Sequence, residues 1–436
     1  MSLNCRSNYY VCITIIDCYN FTPPNQINFM RKLLLLALAI VPVLAFAQGF
    51  QVNLEGQKQI GMGHTGTGLA QDGAALFFNP GAVATESENY VQAGISPLSF
   101  NSVFNPARTS EQYHTASKWA TPFNFYGTWG PKAARWKVGM AVYTPFGGLT
   151  DWGTAWPGKF AAEKLDLKAF YFQPTISVKI TDWMSIGGGF VYNHGTVDLT
   201  RAIPIENSNG QSSQAELNGS GKGYGWNAGI YFTTQSGVTV GITHRSKVTT
   251  TINDGTATFT VPASLATSFP SPNQFSASIP LPATNSIGIG FHPCSKWLLA
   301  MDVNIVEWDP FKALSFDYKN NTPLLQDTHS PRNYHNTVGL RGGAQYMATN
   351  KLALRFGGGY AEAAALNGYV TPEVPDADRA YVTGGIGYKL AQHFDIDLSF
   401  EYEHLLQRTQ TNYETQLSGT FKSDVYIPGI SLAYHW

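Results

Sequence analysis

Charge is the first thing this 436-residue chain has little of: Asp, Glu, Lys and Arg make up 13% of it, about half the roughly 25% of an ordinary soluble domain. Its 28 Lys and Arg nearly cancel its 29 Asp and Glu. No basic face is on offer, so nucleic acid is excluded as a partner. Long apolar runs are scarce as well. Only the stretch from Leu33 to Leu44 is almost wholly apolar, and it falls short of the roughly twenty residues a membrane helix needs, which excludes a bundle of membrane helices. Cysteine numbers four, and Cys5, Cys12 and Cys18 lie ahead of a segment that reads as an export signal. The expected mature chain then carries Cys294 alone of the four, too few for a cysteine-based zinc site. No other ligand spacing stands out, and neither a metal nor a cofactor is expected.

What the chain does have is 22 Tyr, 26 Phe, 10 Trp and 43 Gly, a balance of strand-formers and turn-formers that suits a transmembrane β-barrel. Met30-Arg31-Lys32, the apolar run and Ala45-Phe46-Ala47 together make a secretory signal peptide. Residues 1–29 are expected to be a mis-assigned upstream extension, 30–47 the signal, 48–88 a plug or hatch inside the barrel, and 89–436 the barrel itself. From Asn89 onward the sequence runs in segments that alternate apolar and polar positions, the period-2 pattern of a strand with one greasy and one wet face. Val238-Thr-Val-Gly-Ile-Thr and Phe394-Asp-Ile-Asp-Leu-Ser-Phe-Glu-Tyr are examples. About fourteen such strands can be placed, beginning near Tyr90, Thr121, Trp136, Asp166, Met184, Gly223, Val238, Thr284, Trp297, Tyr334, Lys351, Arg379, Phe394 and Asp424. Short turns near 130–132, 181–182, 235–237, 292–295, 348–350 and 391–392 alternate with longer stretches near 101–120, 147–165, 198–222, 252–281, 309–333, 362–378 and 407–420. Short turns on one side and long loops on the other are the asymmetry of an outer-membrane barrel.

The chain ends with Ile430, Leu432, Tyr434 and Trp436 on one face, an aromatic terminus that suits a membrane interface and resembles the signal read by the barrel-assembly machinery. Residues 48–88 are Gly-rich, with a short apolar run at Ala74-Ala-Leu-Phe-Phe78 broken by Asn79-Pro80-Gly81. Gly61-Met-Gly63-His-Thr-Gly66 matches the glycine pattern of a dinucleotide site, but the strand and helix that site requires are missing. No Ser/His/Asp grouping rises above chance among His194, His244, His292, His393, His404 and His435, so no catalytic residue is assigned. In Thr144-Pro145-Phe146-Gly147-Gly148-Leu149 a proline and paired glycines interrupt a strand, either to begin a loop or to open a gap in the wall.

Several stretches, taken in order, resemble the FadL-like outer-membrane transporters of long-chain fatty acids and related hydrophobic compounds. They are Gln48-Gly-Phe-Gln-Val52, the Gly61-Met-Gly63 turn, Asp72 to Phe78 with Asn79-Pro80, Thr144-Pro-Phe-Gly147, Trp156-Pro-Gly-Lys-Phe160 and Pro372-x-x-Pro375-Asp376-x-Asp-Arg379. The resemblance implies a fourteen-stranded antiparallel barrel in the outer membrane of a Gram-negative bacterium, closed by a hatch that uses Gly61, Gly63, Asn79, Pro80 and Gly81, where the family's usual Asn-Pro-Ala ends in Gly81 instead. It implies passive uptake of a hydrophobic small molecule. The molecule would be caught in a loop groove, held near Phe50, and released sideways through a third-strand kink at Pro145, Phe146, Gly147 and Gly148. Trp152, Trp156, Phe160 and Leu165 are the candidates for the groove. Phe77 and Phe78 are further candidate contacts, and His194 falls where the family has a basic lumen residue. The expected partners are that ligand, outer-membrane lipid and lipopolysaccharide, and the assembly machinery, with the barrel a monomer. A general porin and an outer-membrane lipid hydrolase are the alternatives.

Overall fold

Alternation builds the wall. In the stretch Phe123–Trp129, Phe123, Phe125 and Trp129 point outward while Asn124, Tyr126 and Thr128 are buried within. The same division recurs to the end of the chain, where Ile430, Leu432, Tyr434 and Trp436 face out and Ala433 and His435 face in. The structure is a computed structural model that describes residues 49–207 and 210–436; the expected signal and upstream extension lie outside them.

Among the described residues the segments group into fourteen antiparallel wall strands that close on themselves. The first comprises Tyr90–Ile95 and Leu98–Pro106, the second Tyr113–His114, Trp119–Ala120 and Phe123–Trp129. The third to sixth are Trp136–Asp151, Lys164–Lys179, Met184–Glu206 and Ser212–Thr233. The seventh comprises Val238–Arg245 and Val248–Thr260, the eighth Asn273–Leu281 and Ala283–Cys294, the ninth Trp297–Glu307 and Ala313–Tyr318, the tenth Thr328–Pro331 and Thr337–Met347. Leu352–Ala361, Arg379–Ala391, Phe394–Thr411 and Ser418–His435 complete the set. Pairing of Tyr90 with His435 through Ile95 with Ile430 joins the last strand to the first.

Two of the expected loops are largely strand. The ladder between the fifth and sixth strands continues to Glu206 and Ser212, and that between the seventh and eighth to Ala257 and Asn273. Beyond the lipid the outward positions turn polar, as at Thr196, Asp198 and Thr200, while the inward Val197, Leu199 and Leu217 stay buried in an apolar cluster with Phe259, Phe275 and Phe316. The greasy outer face ends there, but the backbone pairing does not.

The N-terminal segment 49–89 runs inside this wall and is tied to it on every side. Tyr126 donates to the carbonyl of Glu55 at 2.5 Å, Gly63 N–H to Thr383 Oγ1 at 2.9 Å, and Asn79 Nδ2 to the carbonyl of Ile230 at 3.1 Å. Asp302 accepts the N–H groups of both Gly66 and Thr67 at 2.9 Å. Two short helices, Gln57–Gly61 and Ala75–Phe78, are the segment's α-helical parts among the described residues. Backbone here lies directly on backbone: Gly63 has φ +67°, and a Cβ on the wall residue Gly343 would stand 2.0 Å from the carbonyl oxygen of Met62. The same crowding accounts for Gly81, whose Cβ would lie 2.7 Å from the Gly229 carbonyl oxygen. An alanine after Asn79-Pro80 would not fit without a shift in the sixth strand.

Candidate functional site

The third wall strand loses a neighbour partway up. Its ladder with the second strand runs from Trp129 and Val138 to Asn124 and Tyr143 and stops. Above that point the second strand's short pieces pair with the first strand instead, and the third pairs onward only with the fourth, through a register shift between Tyr143 and Phe146. Pro145 brings no N–H to the ladder and Gly147 and Gly148 permit the bend, so pairing fails where the sequence interrupts it. Higher up, Ala116 N–H reaches the carbonyl of Asp151 at 2.7 Å and closes the top of the gap.

The inner edge freed by the kink is taken by the N-terminal segment. Val52 N–H donates to the Pro145 carbonyl at 2.8 Å, Gly147 N–H to the Phe50 carbonyl at 3.2 Å, and Gln51 bridges to Phe146. Phe50 is held by Trp308, Phe311 and Phe146, with ring centroids 4.8, 5.8 and 6.2 Å away. Arg379 anchors the start of the segment by donating to the Gly49 carbonyl at 2.8 Å.

A cavity of about 470 Å³ lies between this segment and the gap. Its walls are Phe50, Val52 and Leu54 on one side and Phe146, Gly147 and Gly148 on another, and it reaches Trp119, Phe123 and Phe170 at the outer surface. Its inner end is polar: His64 meets Glu401 at 2.8 Å, and Arg379 meets Glu403 at 3.1 Å. A second, smaller chamber of about 40 Å³ sits across Gln51, Asn53 and Phe146, lined by Arg245, Arg341, Asn227 and Asn304. Arg245 lies over the rings of Phe77 and Tyr143, 4.5 and 5.3 Å from their centroids. Glu55 is fully buried, and its carboxyl is pushed up to about 8 by loss of water, against the pull of Arg245 and Arg341.

The expected site residues are therefore scattered. Phe50 lines the large cavity, as do Phe146, Gly147 and Gly148, while Pro145 borders the small chamber. Phe77 and Phe78 also belong to the small chamber. Trp152 and Trp156 form no open groove: they stack 4.6 Å apart and are packed against Phe104 and Phe421. Leu165 is buried in the apolar cluster above the membrane, and Phe160 is 45% exposed. His194 corrects an expectation. It alternates with the buried Asn193 and Gly195 and shares its face with exposed Phe190, so it points away from the lumen.

The lumen's charged groups were missed although their signal was present. In Phe394-Asp-Ile-Asp-Leu-Ser-Phe-Glu-Tyr the apolar residues face out, so Asp395, Asp397, Ser399 and Glu401 must face in. They receive the N-terminal segment: Lys58 lies 3.6 and 3.9 Å from Asp395 and Asp397, and Ser399 donates to Gln57 at 2.5 Å.

Comparison with known proteins agrees with this architecture. Residues 38–436 match the family model described as outer membrane protein transport protein (OMPP1/FadL/TodX). The "47 kDa outer membrane protein" of Pasteurella multocida is 24% identical over 432 residues, spanning 94% of this chain and 99% of that one. A "long-chain fatty acid transport protein" of Escherichia coli is 20% identical over 433 residues, spanning 91% and 96%. The crystal structure of a Pseudomonas aeruginosa FadL homologue superposes with a TM-score of 0.77 at 19% identity, covering 89% of this chain and 99% of that one.

Proposed function

The chain belongs to the outer membrane transport family of OMPP1, FadL and TodX, and on that premise we propose that its ligand leaves sideways, through the gap beside the third wall strand. As a member it is a transporter of fatty acids or hydrocarbons in the outer membrane of a Gram-negative bacterium, not an enzyme. In the proposed route a hydrophobic molecule enters from the extracellular side and rests in the 470 Å³ cavity against Phe50. It then passes between Trp119, Phe123 and Phe170 into the lipid. Apolar burial at roughly 25 cal/mol per Å² supplies the attraction at each stage, and no energy source is needed.

The observation that supports this reading is the third strand's loss of the second as its partner above Asn124 and Tyr143, beside a cavity lined by Phe146, Gly147 and Gly148 that reaches the exposed Trp119 and Phe123. A pore leading straight to the periplasm has no need of such a break.

Filling the gap tests the route. A Cβ on Gly148 meets nothing closer than a Leu165 methyl at 3.6 Å, so Gly148→Phe has room at the backbone and projects its ring at the opening. Uptake of a hydrophobic substrate by cells carrying this variant should fall at least tenfold while the yield of folded barrel stays unchanged. Normal uptake with the gap filled would rule the route out.

A further inference from the structure

The large cavity has a mainly apolar lining, but the charges around it do not suit an anionic ligand. Asp166, Glu373, Asp376, Glu401 and Glu403 line it, against Lys168, Arg379 and one histidine, His64. Both cations are already engaged. Lys168 lies 2.8 Å from Asp166. Arg379 lies 3.1 Å from Glu403 and 3.7 Å from Asp376, and donates to the Gly49 carbonyl as well. Glu373 is held by Arg332 at 2.5 Å and Glu401 by His64.

Two other buried arginines, Arg245 and Arg341, form no ion pair with a carboxylate among the described residues, but they stand in the small chamber on the far side of Gln51, Asn53 and Phe146. A carboxylate drawn into the large cavity would shed its water, meet five carboxylates and find no cation to pair with. Burying an unpaired charge is costly, whereas a hydroxyl or a bare hydrocarbon avoids that cost.

Resting on the transport reading above, we propose that Glu403 is a specificity-determining residue: by occupying Arg379 it makes the cavity select uncharged hydrophobic molecules over their carboxylates. Removing the Glu403 charge leaves Arg379 with Asp376 at the longer distance and with one guanidinium nitrogen released. The cavity then holds a cation able to receive a head group.

The test compares decanol with decanoate, which have the same chain length and differ in the head group. Binding to the refolded full barrel is measured by equilibrium dialysis at neutral pH, with protein-free micelles as the blank; decanoate is ionised there. The wild type should hold decanol at least tenfold more tightly than decanoate. Glu403→Gln should raise the affinity for decanoate relative to decanol about tenfold, roughly the effect of 1.4 kcal/mol. Adding Arg379→Gln to Glu403→Gln should cancel the gain in decanoate affinity, because the released cation is then gone. Equal affinities in the wild type, an unchanged ratio in Glu403→Gln, or a gain that persists in the double variant would each overturn the proposal. If neither compound binds, the transport reading fails along with it, and that outcome is distinct from a loss of selectivity alone.

Discussion

Both carboxyl oxygens of Glu55 are buried without a side-chain hydrogen-bond partner among the described residues, and burial raises its pKa from 4.5 to about 8. If the N-terminal segment leaves its seat, Glu55 regains water and its ordinary pKa. The seated state therefore holds the proton more tightly. Its stability from this group is complete below about pH 4.5, falls as the pH rises by up to about 1.4 kcal/mol per unit, and levels off above about pH 8. Protease cleavage within 49–89 of the refolded barrel should accordingly speed up between about pH 5 and pH 8, and Glu55→Gln should flatten that rise. Identical slopes in the two proteins would mean that another group controls the seating. Phe50 and His194 show how far single residues could be read. Phe50 was legible through the resemblance, near the start of the expected mature chain, and it lies against the kinked third strand. His194 could not, because its facing depends on the parity of the fifth strand, and one step along a strand exchanges lumen for lipid.

At the scale of elements, the alternation of side chains located the starts of the odd-numbered strands but placed those of the second, sixth, eighth, tenth and fourteenth late, at Thr121, Gly223, Thr284, Tyr334 and Asp424 where the strands begin at Tyr113, Ser212, Asn273, Thr328 and Ser418. The outward residues stop being apolar where the lipid stops, so the upper halves of the fifth to eighth strands look like loops by composition while remaining paired by backbone. What the connecting loops do could not be read at all, because it depends on contacts far apart in sequence. Trp152 donates to the Pro372 carbonyl at 2.9 Å and Thr150 to the Glu373 carbonyl at 3.0 Å. These bonds clamp the top of the third strand and the start of loop 152–163 to loop 362–378. Trp152→Ala removes one bond, the stack on Trp156 and a buried ring, a loss of about 3–5 kcal/mol in a packed site. Loop 362–378 should then become open to protease added outside intact cells, with the barrel still folded. A loop as resistant as the wild type would show that the clamp is held elsewhere.

The whole molecule is a wide wall with a filled interior. Eight strands enclose little more than their own side chains, whereas sixteen or more leave a water-filled channel; at fourteen, this barrel lies between, and its N-terminal segment runs through the interior. The segment meets the wall backbone against backbone, which the glycine-rich composition foreshadowed without showing where the contacts fall. Gly343 and Gly342 are neighbours on the tenth strand and separate seal from wall. A Cβ on Gly343 would stand 2.0 Å from the Met62 carbonyl oxygen, whereas one on Gly342 meets nothing closer than 4.0 Å. Gly343→Val should push the segment off the wall, and Gly342→Val should not. In planar bilayers the wild type and Gly342→Val are expected to be nearly silent, and Gly343→Val to open to steady conductance. Large steady conductance in the wild type would instead mark a general porin. Silence in Gly343→Val, once its folding is confirmed, would show that the loops over the mouth close the barrel by themselves. The position of the conducting variant on the strand, not merely its existence, therefore decides which layer of the filling is the seal.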